Sequence, residues 1–411
     1  MSAQEMVLTV GAALAVVLWA VLSLSVLAVA RRRARARATL DAAVAAIEST
    51  PSGSVDDRLA HVRPALAGAS RELVMAAVTN DRFARATRDI LTAFFLERWS
   101  AATLERDAAS HHTKREKWRR IAALRILSSL AHPRRTTLLA DAVRDLDSDV
   151  AATALALLGD SDDVDAVEVL VDALRNRQQL ASHVAVHLDR SPQHLGARLQ
   201  PLLGDEDAVV RRWAARLVGR YPDVDGLDRD LAKLAGDPDA RVRAAAVESL
   251  GQIGGATAGP TAVRLLTDPA PFVRAAALRS IGALDRDDLA DNVASLLGDR
   301  DWWVRLAAKQ CLERMGAEIW PVLVRRLDDP DRFVRNGAAE VFQNLGVLDS
   351  FIVMEAASGD TGRGKLDLLR RIAAAGGLRL TDSLMERCGP ALAPRIRQLL
   401  TTVGLEHVGT V

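Results

Sequence analysis

The chain has 411 residues, of which 49% are hydrophobic but only 4% aromatic, with a single Tyr at position 221. Gly and Pro are too sparse for a collagenous or disordered chain, so burial must come from Leu, Val and Ala, which favour close-packed helices. The net charge of +1 hides a segregation: Asp56 to Arg135 holds 16 Lys and Arg against 9 Asp and Glu, and Thr136 onward holds 33 against 41, a basic front before an acidic remainder.

Met6 to Ala30 is a 25-residue apolar run without one charged side chain. At about 1.5 Å per helical residue it exceeds the roughly 30 Å hydrocarbon core of a bilayer, so 6–30 reads as a single transmembrane helix. Ala28-Val29-Ala30 has the small residues of a signal-peptide cleavage site. The long apolar run, the lack of a basic residue before it and the crowding of Arg behind it all oppose cleavage. Arg31, Arg32, Arg33, Arg35 and Arg37 follow at once and, by the positive-inside rule, place themselves and everything after them in the cytoplasm. The expected location is therefore the inner membrane, single-pass, with the N-terminus outside. Residues 31–50 continue as a basic juxtamembrane helix with Leu40, Val44 and Ile47 on one stripe, ended by Thr50-Pro51-Ser52-Gly53-Ser54.

Residues 54–110 read as a helical N-terminal capping module. Ser70 is placed to cap one helix and Asn80-Asp81 the next, which carries Phe83, Ile90, Leu91, Phe94, Phe95 and Trp99, the densest aromatic cluster in the chain. Adjacent His111 and His112 do not share a helix face and make no metal site by themselves. Lys114, Arg115, Lys117, Arg119 and Arg120 form a basic stretch suited to a solvated face or to anionic lipid headgroups.

From there a repeat takes over. An Asp, four residues, then Val-Arg opening an Ala-rich helix stands at Asp205…Val210-Arg211, Asp237…Val242-Arg243, Asp268…Val273-Arg274, Asp299…Val304-Arg305 and Asp329…Val334-Arg335, the Val positions stepping by 32, 31, 31 and 30. Such a period indicates stacked helical hairpins. Asp145…Val150, Leu180 and Trp118-Arg119 extend the register backward and Asp360…Lys365 forward, giving about nine units over 114–377 and a C-terminal helical cap over 378–411, with helices near Thr381–Cys388 and Ala391–Val403. Val, the Ala four residues on and the residue at the eighth position share one helix face, as in Val242, Ala246 and Leu250. Gly251, Gly254, Gly282 and Gly346 stand at or beyond helix ends. Each framework Asp is placed to cap the following helix, and each Arg to reach the turn of the next unit, an Asp–Arg ladder along the stack. Of the two Cys, Cys311 falls on a repeat helix as a small core residue, and neither has a Cys or His at metal spacing.

Asp237-Pro238-Asp239-Ala240-Arg241-Val242-Arg243-Ala244-Ala245-Ala246-Val247-Glu248-Ser249-Leu250-Gly251 resembles HEAT repeats in their short bacterial, PBS-lyase-like form, specifically from about Gly204 to Gly346 and more loosely on either side. The resemblance implies an all-α fold, a right-handed α-solenoid of HEAT-like helical hairpins preceded by a single transmembrane helix. With the N-terminal apolar helix and the Trp302-Trp303 and Phe333 copies, the chain resembles bacterial membrane-anchored HEAT-repeat proteins, which often occur beside membrane glycosyltransferases. This implies an accessory role in envelope biogenesis.

The residue before the repeat Val becomes aromatic in three successive units, Phe272, Trp303 and Phe333, with Trp302 beside the second. Exposed aromatics in a row are interface anchors, whereas packed ones would lie against the neighbouring turn. A polar stripe six residues after Val (Arg216, Glu248, Arg279, Gln310 and Glu340) is a second partner-binding candidate. Its mixed signs and lack of interleaved aromatics argue against a nucleic-acid track. No paired His-Glu, phosphate loop or metal spacing supports catalysis or a cofactor. The expectation is a non-catalytic, membrane-tethered scaffold or adaptor that binds a protein partner. A HEAT-like lyase or other enzyme, and a nucleic-acid-binding HEAT protein, are the alternatives.

Overall fold

A computed structural model describes residues 31, 34, 38–39, 41–49, 54–79, 83–109, 117–130, 132–176, 178–191, 195–346, 352–353, 363–375 and 382–402. The expected span 6–30, Leu40, Arg32, Arg33, Arg35, Arg37, Asn80-Asp81, His111-His112, Lys114, Arg115 and Asp360 lie outside them, and among the described residues no helix is long and apolar enough to cross a membrane. The described residues are helical, without a strand. The chain divides into two compact units, Met1–Ala173 with Gln178–Pro192, and Leu174–Arg177 with Gln193–Val411.

In the first unit, residues 41–49 are helical, Arg31 is exposed, and Val44 and Ile47 are buried. The Ile47 carbonyl accepts a hydrogen bond from Arg58 Nη2 at 3.0 Å, which ties this segment to α1 (Val55–Leu66). Helix α2 (Arg71–Val78) is capped by Ser70, whose hydroxyl accepts from the Leu73 amide. Helix α3 begins only at Arg85, after an Ala84 that offers no side-chain cap, and runs to Trp99. It buries Ile90, Leu91, Phe94 and Phe95, and Trp99 meets the Phe94 and Phe95 rings at 6.1 and 5.1 Å. After α4 (Ala101–Ala108), helices α5 (Lys117–Ser129), α6 (Arg135–Val143), α7 (Ser148–Gly159), α8 (Val164–Arg175) and α9 (Ala181–Arg190) follow.

The expected register of the early unit is one residue off. Arg120, not Arg119, holds the framework position: its Nε lies 3.1 Å from Asp145 and only 4% of the residue is exposed. Arg119 reaches Glu72 at 2.7 Å, and Lys117 reaches Asp149 at 2.5 Å. The described part of the basic stretch is thus turned toward carboxylates of its own unit, and Arg120 is not available to a lipid surface.

In the second unit, α10 (Gly196–Leu199) leads into a regular alternation. The inner helices are α11 (Ala208–Val218), α13 (Ala240–Ile253), α15 (Pro271–Ala283), α17 (Trp302–Met315) and α19 (Arg332–Asn344). Between them lie α12 (Leu227–Leu234), α14 (Ala258–Leu265), α16 (Ala290–Ala294) and α18 (Trp320–Arg326). The core is built in rows. Val210, Val242, Val273, Val304 and Val334 form one, Ala214, Ala246, Ala277, Ala308 and Ala338 a second, and Val218, Leu250, Ile281, Leu312 and Phe342 a third, all buried. Ala in the middle row lets neighbouring inner helices approach closely, and burial of each flanking aliphatic contributes about 1.5–3 kcal/mol.

Gly254 and Gly346 sit at φ +75 and +67, as helix-ending residues do. Gly251 has a different reason: it lies inside α13, and a Cβ there would fall 2.7 Å from the backbone Cα of Ser280 on the next inner helix. Gly282, also inside its helix, faces the buried Cys311. Helices α20 (Arg363–Ala374) and α21 (Asp382–Thr402) follow toward the C-terminus. Helix α21 is one continuous 21-residue helix where two were expected across Gly389-Pro390. Each Pro removes only one ladder bond, and enough helix stands on either side of it to carry the element through.

Candidate functional site

The turn before four of the five inner helices divides two tasks between two acidic residues; before α15 the cap position is Ala270, which offers no side-chain cap. The helix cap is not the framework Asp but the Asp two residues on. Asp207, Asp239, Asp301 and Asp331 accept the amides of Val209, Arg241, Trp303 and Phe333 at 2.7–2.8 Å. The framework residues Asp205, Asp237, Asp268, Asp299 and Asp329 instead fold the turn, each accepting the amide two residues on at 2.8–3.0 Å.

Three of these Asp also receive the Arg of the preceding repeat in a two-pronged grip. Arg211 donates from Nε and Nη2 to Asp237 at 2.8 and 3.1 Å, Arg243 to Asp268 at 2.7 and 2.8 Å, and Arg274 to Asp299 at 2.8 and 2.7 Å. The remaining prong, Nη1, bonds backwards to carbonyls of the Arg's own turn, as Arg211 does to Asp205 and Glu206 at 2.8 Å. Each guanidinium therefore ties two consecutive turns together, a geometry only Arg provides. Burial by itself would raise the carboxyls of Asp268 and Asp299, but the hydrogen bonds from Arg243 and Arg274, the turn amides and the nearby positive charges outweigh it and hold both below the ordinary carboxylate range.

The ladder stops at the next step. Arg305 Nη1 still bonds its own turn, at 2.8 Å to the Asp299 carbonyl and 3.3 Å to that of Arg300. Its guanidinium then lies over the Phe333 ring, 4.6 Å from the centroid, and does not reach Asp329. Asp329 takes a local cation instead, Arg326 Nη1 at 3.6 Å. The cause is visible in the residues three before each framework Asp: Leu202, Leu234, Leu265 and Leu296 in the earlier units, but Arg326 in this one. Arg305 and Asp329 are also 24 residues apart in sequence, where Arg243–Asp268 and Arg274–Asp299 are separated by 25. The expected partner of Arg335 lies outside the described residues; its Nη1 bonds the Asp329 and Pro330 carbonyls at 2.7 and 2.9 Å.

The aromatic candidates surround this break. Phe272, Trp303 and Phe333 are each the second residue of an inner helix, which directs them off the buried face that the following Val occupies. They are 48%, 66% and 42% exposed, and Trp302 is 54% exposed. Trp302 and Trp303 meet edge to face at 4.2 Å. Trp302, Leu297, Arg305, Phe333, Gly337 and Glu340 line a shallow pocket of about 160 Å³. A second cation, Arg332, lies 4.9 Å from the Phe333 centroid. Anchors of this kind, aromatic with adjacent Arg, are what protein-binding surfaces concentrate.

The polar stripe is less available than its composition implies. Arg279 pairs with Glu248, Glu340 pairs with Lys309 at 2.8 Å, and Arg216 lies 5.2 Å from the Trp213 ring centroid, while Gln310 is exposed. The stripe joins neighbouring repeats to one another more than it presents charge. Cys311 is buried, which pushes its thiol up to about 12, and it is no nucleophile at neutral pH. Among the described residues, no group of three or more His, Cys, Asp or Glu side chains converges as a metal site requires.

The first unit contains a feature that the linear pattern did not disclose, a groove of about 950 Å³ lined by α3, α5 and α7, with Arg85, Thr92, Trp118, Arg125, Asp149 and Thr153 on its walls. Trp118 and Arg125 are seven residues apart on one face of α5, which was the available signal. The partners on α3 and α7 come together only through packing.

Residues 196–276 and 260–343 match the family of HEAT repeats, so the regular part of the second unit is built of them. No curated protein matches the chain. Among solved structures the chain is similar to an engineered protein, with 18% identity over 88% of this chain and 98% of that one and a TM-score of 0.38. It is also similar to the CpcE–CpcF complex of phycocyanin lyase from Nostoc sp. PCC7120, with 22% identity over 52% and 96% and a TM-score of 0.32. A third is the karyopherin Kap121p bound to the extreme C-terminus of the protein phosphatase Cdc14p, with 12% identity over 90% of this chain and 48% of that one and a TM-score of 0.46.

Proposed function

We propose that this chain is a non-catalytic bacterial scaffold that holds a protein partner against the row formed by Phe272, Trp302, Trp303 and Phe333. The observation that carries the reading is the exposure of these four large apolar side chains at the starts of three consecutive inner helices. A HEAT stack needs Val, Ala and Leu for its core and has no structural use for Trp at this position, since Arg241 fills it in an earlier unit without loss of the fold. The uncharged run 6–30 and the Arg31–Arg37 cluster support a tether in the inner membrane with the repeats on the cytoplasmic side. A partner within that membrane follows from the tether, and the resemblance to membrane-anchored HEAT proteins suggests a membrane glycosyltransferase.

The test is affinity capture from detergent-solubilised membranes, with wild type compared with the variant carrying Trp302→Ala and Trp303→Ala. One dominant partner lost from the variant is the expected result, and an unchanged partner set would return the two Trp to packing roles. Protease treatment of right-side-out vesicles checks the topology: the repeats should survive until the vesicles are opened.

A further inference from the structure

The break in the ladder leaves a donor pair with nothing to hold. In three preceding repeats the Nε and Nη2 edge of the framework Arg grips a carboxylate of the next turn, and among the described residues the same edge of Arg305 has no acceptor. Every carboxylate that could face it from the surrounding elements is engaged. Asp329 is met by Arg326, and Glu340 by Lys309 at 2.8 Å. Asp301 and Asp331 accept the amides of Trp303 and Phe333, and Asp299 is gripped by Arg274. The guanidinium is held in place nonetheless, by two carbonyls through Nη1 on one side and by the Phe333 ring on the other. It stands in the wall of the pocket that also contains Trp302 and Leu297.

We infer that this pocket takes an acidic side chain, Asp or Glu, of the protein partner, gripped by Arg305 Nε and Nη2 in the way Asp237, Asp268 and Asp299 are gripped inside the stack, with an apolar neighbour of that residue against Trp302. The inference rests on the scaffold reading and specifies the chemistry of its partner. A carboxylate fits because the three internal rungs already show this donor edge matched to one, and because a single unmatched guanidinium neutralises a single negative charge. The aromatic row supplies contact area, and the Arg supplies the choice among apolar segments, which area by itself does not discriminate.

The experiment pans a random-peptide display library on the full-length purified chain as wild type, as Arg305→Gln, as Arg305→Lys and as the Trp302→Ala, Trp303→Ala variant. Wild type is expected to select apolar peptides carrying an Asp or Glu. The best of them and its Asn or Gln counterpart are then compared by fluorescence anisotropy, where the neutral peptide should bind about tenfold more weakly, as removal of a charge-assisted hydrogen-bonded pair does. That ratio should collapse toward one on Arg305→Gln and recover only in part on Arg305→Lys, whose ammonium keeps the charge without the two-pronged geometry. Thermal melts of the variants confirm that they are folded. Selected peptides without an acid, or an acid preference that persists in Arg305→Gln, would overturn the inference while leaving the scaffold reading in place, provided binding still needs the two Trp. A library that yields no binder, or binders indifferent to the Trp pair, would overturn both.

Discussion

Arg274 and Arg305 begin as the same residue in the same repeat position, and end in opposite roles. Arg274 is buried, grips Asp299 with two prongs and locks one turn to the next. Arg305 keeps the backward bonds to its own turn but lies over Phe333 at the surface. What differs is not the Arg but the approach to the Asp it should reach, which lies 25 residues on in one case and 24 in the other, and is preceded at three residues by Leu296 in the first and Arg326 in the second. A local cation satisfies Asp329, and the inter-repeat cation is released. The contrast shows how a repeat array frees a framework residue: the Arg is kept, and its internal partner is met by another cation.

The contrast is most easily broken at Arg274. Replacing it with Ala leaves the largely covered Asp299 carboxylate without its counter-charge and should cost about 3 kcal/mol in urea unfolding, whereas Arg305→Ala should cost under about 1 kcal/mol. Equal costs at the two positions would mean that the ladder is not what couples these turns. Acid should act on the paired side of the comparison. The carboxyls of Asp268 and Asp299 titrate below their unfolded values, so the stability they add is fully present above about pH 4 and is lost as pH falls through their depressed native values. The gap in melting temperature between wild type and Asp268→Asn should accordingly narrow as the pH is lowered from neutral toward 2.

Gly251→Ala probes the close approach of inner helices in the paired region. Its new methyl must displace the Ser280 backbone, and about 1–3 kcal/mol of destabilisation is expected by calorimetry. Arg326→Leu should convert the released position toward the paired kind. In that background the coupling of Arg305 to Asp329, measured by a double-mutant cycle, should rise from near zero to about 1 kcal/mol. The smallest stability effect belongs to Trp302→Ala with Trp303→Ala, expected to stay within about 0.5 kcal/mol in the same unfolding assay because both rings are exposed.

The repeated rows of Val, Ala and Leu were legible in the linear pattern because each must return to one buried face every helical hairpin. The exposure of Trp302 and Trp303 was half legible: two adjacent rings cannot both enter one core layer. Other features were not. The capping Asp and the turn-folding Asp are chemically identical and two residues apart, so composition assigns the cap to either. Arg119 and Arg120 are adjacent cations, and only the buried contact to Asp145 shows which belongs to the framework. The release of Arg305 was written in the sequence, as Arg326 and a shortened spacing. It has meaning only against the geometry of the other rungs, since an extra Arg in a turn is otherwise an ordinary surface residue. The groove among α3, α5 and α7 depends on how three helices of unequal length come together, which periodicity does not encode.

The ladder also has a mechanical side. Each paired guanidinium is a cross-link between consecutive turns, so a pull along the stack loads three such links in series, those of Arg211, Arg243 and Arg274. Between α17 and α19 the buried framework clasp is missing, and the pull is borne by side-chain packing, by the Lys309–Glu340 and Asn344–Glu313 contacts at the surface, and by the exposed pairing of Arg325 and Arg326 with Asp291 between α16 and α18. In single-molecule stretching this junction is the weak link and should part first, at the place where the aromatic row stands. A partner seated across Trp302 and Phe333, with a carboxylate on Arg305, would then act as the missing clasp, and its binding should be read as a rise in the force at which the stack first yields.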